Sequence, residues 1–155
     1  MPRSLLLIED NEDDVFFFQV AMRKLALPYR LVLASDGREG LRQLQESVAD
    51  SPEVGPFGLV LLDLKLPFVD GFEVLAGMHS LPPGRCPPVV VLTTSEKQSD
   101  VQLAWRLGAS AVLVKPNRPD QLVELLRLLD AKWLSDPPVP PAPTGHSLRP
   151  AEVVK

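Results

Sequence analysis

Four short runs of apolar residues in this chain each end abruptly on polar residues. They are Leu5–Ile8, Leu59–Leu62, Val89–Leu92 and Ala111–Val114. Apolar runs that do not alternate with polar residues are typical of strands buried on both faces, as in a parallel sheet covered by helices. A further strand is expected over Arg30–Ser35, ahead of a turn at Asp36 and Gly37.

Stretches of helical length and amphipathic spacing lie between these strands. The first helix should begin near Asn11 and end before Pro28. The fourth should begin at Ser95 as N-cap, and the last should open at Pro119 and end near Leu134. The order strand then helix, repeated five times, predicts an α/β fold.

The polar residues that end four of the strands include three carboxylates, one hydroxyl and one ammonium. Glu9 and Asp10 follow the first strand, Asp63 the third, Thr93 the fourth and Lys115 the fifth. Because the carboxyl ends of parallel strands share one edge of the sheet, where ligands bind, these groups should converge. The pattern predicts a phosphoryl site.

The three carboxylates would repel one another unless a cation neutralises them, and magnesium is the hard ion that such oxygens prefer. Glu9 and Asp10 are predicted as a dedicated metal pair, and Asp63 as a nucleophile that also ligates. Lys115 and Thr93 can stabilise the charge that develops on a phosphoryl group.

Length and composition limit the remaining possibilities. The chain has 155 residues, a net charge of −4 and a pI near 5.2, with no basic cluster for nucleic acid. Cys86 has no partner for a disulfide, and the first apolar run is too short for a signal peptide or a membrane span.

We expect a cytoplasmic protein with one domain at 1–135. Residues 136–155 are rich in proline and are expected to form a flexible tail.

Six segments of the chain resemble the receiver domain of bacterial two-component response regulators. They are Leu5–Asn11, Leu61–Pro67, Asp70-Gly71, Val91–Thr94, Leu107–Ala109 and Val114–Pro116, within a resemblance that covers residues 4 to about 134. The resemblance implies a single doubly wound, five-stranded parallel sheet of order 2-1-3-4-5 with five helices, the flavodoxin-like receiver fold. It also implies that Asp63 accepts a phosphoryl group from a histidine kinase. Glu9, Asp10, Asp63 and the backbone carbonyl of Lys65 would hold Mg²⁺ or Mn²⁺.

The same resemblance assigns further roles. Lys115 would pair with the phosphate, Thr93 would be the switch hydroxyl, and Lys65 and Ser95 would occupy positions that tune phosphoryl lifetime. Many receivers carry Tyr or Phe three residues before the lysine, where this chain has Val112. The readout is therefore expected through Thr93, the loop behind it and the fourth helix. The chain is more similar to the stand-alone regulators that serve bacterial phytochromes, which implies a bacteriophytochrome kinase as partner.

Two surfaces are predicted to bind proteins. Phe16 and Phe17 fall off the buried stripe of the first helix, so either could dock a kinase helical bundle, although packing against the last helix is an equal alternative. A homodimer is expected through the fourth helix, last strand and last helix, where Val123 and Leu128 lie off the buried stripe. The acids Glu12–Asp14 are explained by the helix dipole alone.

Two other functions are alternatives to a phosphorylated signalling protein. A degenerate receiver that acts as a constitutive adaptor is disfavoured by the complete set of site residues. An aspartate-nucleophile phosphatase needs a second carboxylate two residues after the nucleophile, where this chain has Lys65. We therefore expect a phosphoacceptor and not a turnover enzyme.

Overall fold

The computed structural model describes residues 3–48, 56–82 and 84–135. Five strands alternate with five helices and a final π-helical turn. The strands are β1 (Ser4–Ile8), β2 (Arg30–Ala34), β3 (Phe57–Asp63), β4 (Val89–Thr93) and β5 (Ala111–Val114). The helices are α1 (Glu12–Lys24), α2 (Gly37–Ser47), α3 (Gly71–Met78), α4 (Gln98–Arg106), α5 (Pro119–Leu129) and the π-helical turn Asp130–Leu134.

The strands form one parallel sheet of order β2-β1-β3-β4-β5, which confirms the predicted fold class and strand order. Strands β1 and β4 are buried along their whole length, as the uninterrupted apolar runs predict. The sheet divides two apolar cores. One core lies against α2, α3 and α4, and the other lies against α1 and α5.

The start of α1 is fixed by its cap. The side-chain oxygen Oδ1 of Asn11 accepts hydrogen bonds from the backbone N–H groups of Asp13, at 2.9 Å, and Asp14, at 3.1 Å. Phe18 and Met22 are buried against the sheet. The first turn of α1 therefore has a defined position at the edge of the sheet where the site lies.

Three predicted boundaries differ from the structure. Strand β3 begins at Phe57, two residues before the apolar run that starts at Leu59, and β2 ends at Ala34, one residue before the predicted end at Ser35. The prediction that Ser95 caps α4 is wrong, because Lys97 occupies the N-cap position. The hydroxyl of Ser95 accepts a hydrogen bond from the backbone N–H of Lys97, and this local turn delays the helix by two residues.

The end of the last helix is held at the amino edge of the sheet. Asp130 accepts hydrogen bonds from the Tyr29 phenol and, through its carbonyl, from the Ser135 backbone N–H. Arg3 donates to the carbonyl of Trp133 at 3.0 Å. These tertiary contacts accompany the change from α-helix to a π-helical turn after Leu129.

Two further observations concern membrane-spanning helices and the predicted tail. In the described ranges no helix has the length and apolar character needed to cross a bilayer. The predicted tail at 136–155 lies outside the residues that the structure describes.

Candidate phosphoryl and metal site

The predicted site residues meet at the carboxyl edge of the sheet. Asp63 is the last residue of β3 and pairs in register with Leu92, beside Thr93 at the end of β4. Lys115 follows β5, and its backbone N–H donates to the Thr93 carbonyl at 2.9 Å. Residues far apart in sequence are thus adjacent because parallel strands end together.

Glu9, Asp10 and Asp63 form an acidic cluster. Each offers a carboxylate oxygen, and these three oxygens lie within 4.8 Å of one another. Glu9 is only 5% exposed and Asp63 only 9%, whereas Asp10 is open to solvent. Three hard oxygen donors with one open side match the ligand preference of Mg²⁺ and Mn²⁺. These residues therefore fit a divalent ion.

The ammonium of Lys115 lies among three carboxylates. Its Nζ is 2.5 Å from Oε1 of Glu9, 3.0 Å from Oδ2 of Asp14 and 3.4 Å from Oδ2 of Asp63. The Lys115 side chain is 16% exposed, so these pairs are only partly screened by water. The ammonium is thus held within hydrogen-bonding reach of the predicted phosphoacceptor.

Burial and charge shift the pKa of both members of the closest pair. Burial raises the pKa of Glu9 to about 7, and the charge of Asp63 adds to this, although the hydrogen bond from Lys115 opposes it. For Lys115, burial lowers the pKa, but the hydrogen bond to Glu9 and the charges of Asp63 and Glu9 outweigh it. The pKa of Lys115 therefore lies above its usual value, and this side chain is a permanent cation at neutral pH.

Thr93 and Ser95 are both buried behind the site. Thr93 is fully buried, and its Oγ1 accepts a hydrogen bond of 3.0 Å from the backbone N–H of Ser95. The Ser95 hydroxyl donates to Oδ2 of Asp100, in the first turn of α4, at 2.6 Å. Val112 is also fully buried. A continuous hydrogen-bonded chain therefore joins the predicted switch hydroxyl to α4.

For the remaining predicted residues, the structure gives the position and the exposure but does not test the predicted role. The backbone N–H of Lys65 donates to Oδ1 of Asp63 at 3.3 Å, and the Lys65 side chain is exposed. Ligation by the Lys65 carbonyl stays a prediction. Phe16 and Phe17 are 56% and 44% exposed and contact each other edge to face, with ring centroids 5.7 Å apart.

Sequence reasoning missed Asp14, which it explained by the helix dipole alone. A signal was present, because Asp14 lies one turn before Phe18 and two turns before Met22 on the buried stripe of α1. A carboxylate at the start of a buried stripe is directed toward the sheet edge, and the Asp14 side chain is 40% exposed there. Asp13, its neighbour on the same turn, is exposed.

A small apolar cavity of about 150 Å³ opens beside the site. It lies between α1 and the start of α5, and Phe17, Phe18, Lys115 and Leu122 are among its lining residues. The exposed ring of Phe17 thus borders both the cavity and the surface of α1.

Comparison with known proteins gives a consistent result. Residues 5–127 match the response regulator receiver domain family. The chain is 32% identical over 141 residues to the response regulator Rcp1 of Synechocystis, covering 91% of this chain and 95% of that protein. The Mn²⁺-bound crystal structure of Rcp1 aligns with a TM-score of 0.73 over 86% of this chain and 96% of that structure.

Two other solved structures are also similar. The phosphorylated cyanobacterial phytochrome response regulator RcpA has 31% identity and a TM-score of 0.76, covering 88% of this chain and 96% of that structure. The bacteriophytochrome response regulator AtBRR has 38% identity and a TM-score of 0.66, covering 86% of this chain and 96% of that structure. The parallel sheet, the acidic cluster beside Lys115 and the matched sequence together place this chain in the response regulator receiver domain family.

Proposed function

We propose that Asp63 accepts a phosphoryl group from a histidine kinase in a Mg²⁺-dependent reaction, and that the chain then signals through changed protein contacts. The observation that carries this proposal is the position of Lys115, whose ammonium lies 3.4 Å from a nearly buried Asp63 that also belongs to the acidic cluster. A carboxylate nucleophile, a cation and a metal-binding set at one sheet edge are what phosphoryl transfer needs.

Glu9, Asp10 and Asp63, together with the Lys65 carbonyl, would hold Mg²⁺ or Mn²⁺. When bound, the ion neutralises charge on the phosphoryl oxygens and on the carboxylates. Support comes from the Mn²⁺-bound structure of Rcp1 and from the hard donor set of this chain.

Each of the remaining side chains has a separate role in phosphoryl transfer. A carboxylate oxygen of Asp63 attacks phosphorus, forming an O–P bond as the N–P bond of the kinase phosphohistidine breaks. Lys115 donates hydrogen bonds to the transferred group, and the Thr93 hydroxyl turns toward one of its oxygens. Lys65 and Ser95 border the acceptor and the switch, and there they tune how long the phosphoryl group survives.

We assign the kinase contact to Phe16 and Phe17 on α1. Their exposure and the cavity beside Phe17 give a surface that can receive apolar side chains of a helical bundle. The similarity to phytochrome response regulators favours a bacteriophytochrome as that kinase. We also propose that this transfer takes place in the cytoplasm.

In this proposal, the protein passes the signal on through the surface formed by α4, β5 and α5. Leu128 is 57% exposed there and Leu103 37% exposed, whereas Val123 is half-buried. We propose that two copies associate through this face. Sedimentation of the protein with and without beryllofluoride should show a dimer that Leu128→Asp weakens, and a strict monomer in both states would remove this part of the proposal.

The function is tested by incubating the protein with acetyl phosphate and Mg²⁺ and measuring its intact mass. One added phosphoryl group is expected, which Asp63→Asn or removal of Mg²⁺ abolishes. Asp70→Asn is the matched control, because Asp70 caps α3 by accepting from the backbone N–H of Glu73 at 2.9 Å and asparagine caps equally well. Absence of labelling in the unaltered protein would leave the degenerate adaptor as the better function.

A further inference from the structure

Lys115 has a carboxylate partner that lies outside the metal cluster. The cluster consists of Glu9, Asp10 and Asp63, and Asp14 is not part of it. Yet Oδ2 of Asp14 lies 3.0 Å from the Lys115 ammonium, closer than Oδ2 of Asp63 at 3.4 Å. Asp14 therefore contacts the catalytic cation without belonging to the set that would ligate an ion.

The backbone of Asp14 is held in place by an interaction that is separate from this side-chain contact. Its N–H donates to the Asn11 cap at 3.1 Å, so the residue sits at the rigid start of α1. An ammonium donates at most three hydrogen bonds, and Lys115 has three carboxylate partners, Glu9, Asp14 and Asp63. The direction of the Lys115 ammonium is thus set from three sides.

These three partners would not remain equivalent during the reaction. A divalent ion held by Glu9 and Asp63 offsets their negative charge, which weakens their attraction for Lys115. Phosphorylation also converts the Asp63 carboxylate into an acyl phosphate. Asp14 takes part in neither change, so it is the partner whose attraction for the ammonium persists throughout.

We propose that Asp14 is a positioning residue, which holds the Lys115 ammonium where it can donate to the phosphoryl group on Asp63. This inference rests on the proposed function and adds a residue to its machinery. The contact is partly exposed, with 40% of the Asp14 side chain accessible, so its effect should be moderate.

Asp13 provides a matched control on the same turn of α1. Its backbone N–H also donates to Asn11, at 2.9 Å, and its side chain carries the same charge near the same helix end. It is exposed and lies outside the set of Lys115 partners. A difference between Asp14→Asn and Asp13→Asn therefore isolates the contact with Lys115 from the helix dipole and from net charge.

The test measures beryllofluoride binding at saturating Mg²⁺ for the unaltered protein, Asp14→Asn, Asp14→Glu and Asp13→Asn. Beryllofluoride is used because it reports stabilisation of a phosphoryl-like group without turnover. Mg²⁺ affinity by calorimetry and the thermal midpoint are measured on the same samples. We expect Asp14→Asn to weaken beryllofluoride binding by about threefold to fivefold relative to Asp13→Asn, the range of a partly exposed ion pair.

Mg²⁺ affinity should match between Asp14→Asn and Asp13→Asn, and the thermal midpoint should fall only by the small amount expected for one partly exposed ion pair. Asp14→Glu should recover part of the beryllofluoride affinity. Equal beryllofluoride affinity in the two asparagine variants would overturn the inference, because Asp14 would then act through charge alone. Tighter binding by Asp14→Asn would also overturn it, since Asp14 would then compete for Lys115. If the unaltered protein neither binds beryllofluoride nor accepts acetyl phosphate, the proposed function itself fails.

Discussion

The hydroxyl oxygen of Thr93 is the acceptor for the backbone N–H of Ser95, at 3.0 Å. Ser95 in turn donates its own hydroxyl to Asp100, at 2.6 Å, in the first turn of α4. If Thr93 turns toward a phosphoryl oxygen, the Ser95 N–H loses this acceptor inside a buried site. Two hydrogen bonds therefore link Thr93 to α4 through Ser95, and this link does not involve an aromatic side chain at the position of Val112.

Asp100→Ala should weaken the link between Ser95 and α4. Ser95 is only 8% exposed, so its buried hydroxyl would lose its acceptor, at a cost of about 1–3 kcal/mol in the free energy of unfolding. Hydrogen exchange at residues 95–101 should become faster, and beryllofluoride should change it less than in the unaltered protein. Asp100→Asn retains an acceptor and should show a smaller effect. Unchanged exchange in Asp100→Ala would show that this chain of hydrogen bonds does not hold α4.

Gly71→Ala should damage both stability and the site. A Cβ there would lie 2.5 Å from the Asp63 carbonyl oxygen and 2.6 Å from Cα of Leu64, both backbone atoms that cannot yield easily. We expect a loss of about 1–3 kcal/mol in urea unfolding and slower labelling by acetyl phosphate.

Gly77→Ala on the same helix is the control for that substitution. Its Cβ would meet only the flexible end of Leu41, at 2.8 Å, and alanine favours the helix. The free energy of unfolding should therefore change by less than about 1 kcal/mol. Equal losses in the two variants would refute the role of backbone crowding at Gly71.

The free energy of unfolding should fall at high pH because Tyr29 loses its proton there. Burial, together with the hydrogen bond to Asp130, raises the pKa of Tyr29 from 10.0 to about 12. Because the folded state keeps this proton longer than the unfolded state, the contribution is complete below pH 10 and is lost as pH rises toward about 12. Relative to Tyr29→Phe, the unaltered protein should lose unfolding free energy over that interval.

The titration of Tyr29 can be followed directly, because it is the single tyrosine of the chain. Ultraviolet absorbance of phenolate should show a midpoint near 12, and Asp130→Asn should shift it downward. A midpoint near the ordinary value in the folded protein would contradict the partly buried contact with Asp130.

Phe16→Ala and Phe17→Ala should slow phosphotransfer from a bacteriophytochrome kinase. Loss of an apolar anchor worth about 1–2 kcal/mol lowers kcat/KM by roughly fivefold to thirtyfold. Labelling by acetyl phosphate should not change, because Asp63 is not among the residues that line the cavity beside Phe17. Leu33→Ala, at a 40% exposed position on edge strand β2, is the control. The docking assignment fails if the kinase treats all three variants alike.

The fold and most of the site could be predicted because both depend on local pattern. Uninterrupted apolar runs identified the strands, and the rule that parallel strands end together brought Glu9, Asp63 and Lys115 to one place. Asp14 differed from Asp13 only in the direction of its side chain, which depends on how α1 is rotated against β5. Helix-dipole arguments apply equally to both residues, so they could not separate them.

Helix ends were less predictable for a related reason. Ser95 has the residue type of an N-cap, but its hydroxyl is occupied by Lys97 and Asp100. The apolar pattern of the last helix continues smoothly to Leu134, whereas the change to a π-helical turn accompanies contacts with Tyr29 and Arg3. These partners are distant in sequence, so no local pattern reports them.

The π-helical turn also determines on which side of the domain a fused protein or a solid support would lie. Leu134 packs against the start of β3, where a Cβ on Gly58 would lie 3.2 Å from it, and Ser135 follows immediately. The last described residue therefore lies at the amino edge of the sheet, across the molecule from Asp63. A fluorescent protein, an affinity handle or a sensor surface joined directly at Ser135 would leave the phosphoacceptor facing away from it and open to a kinase.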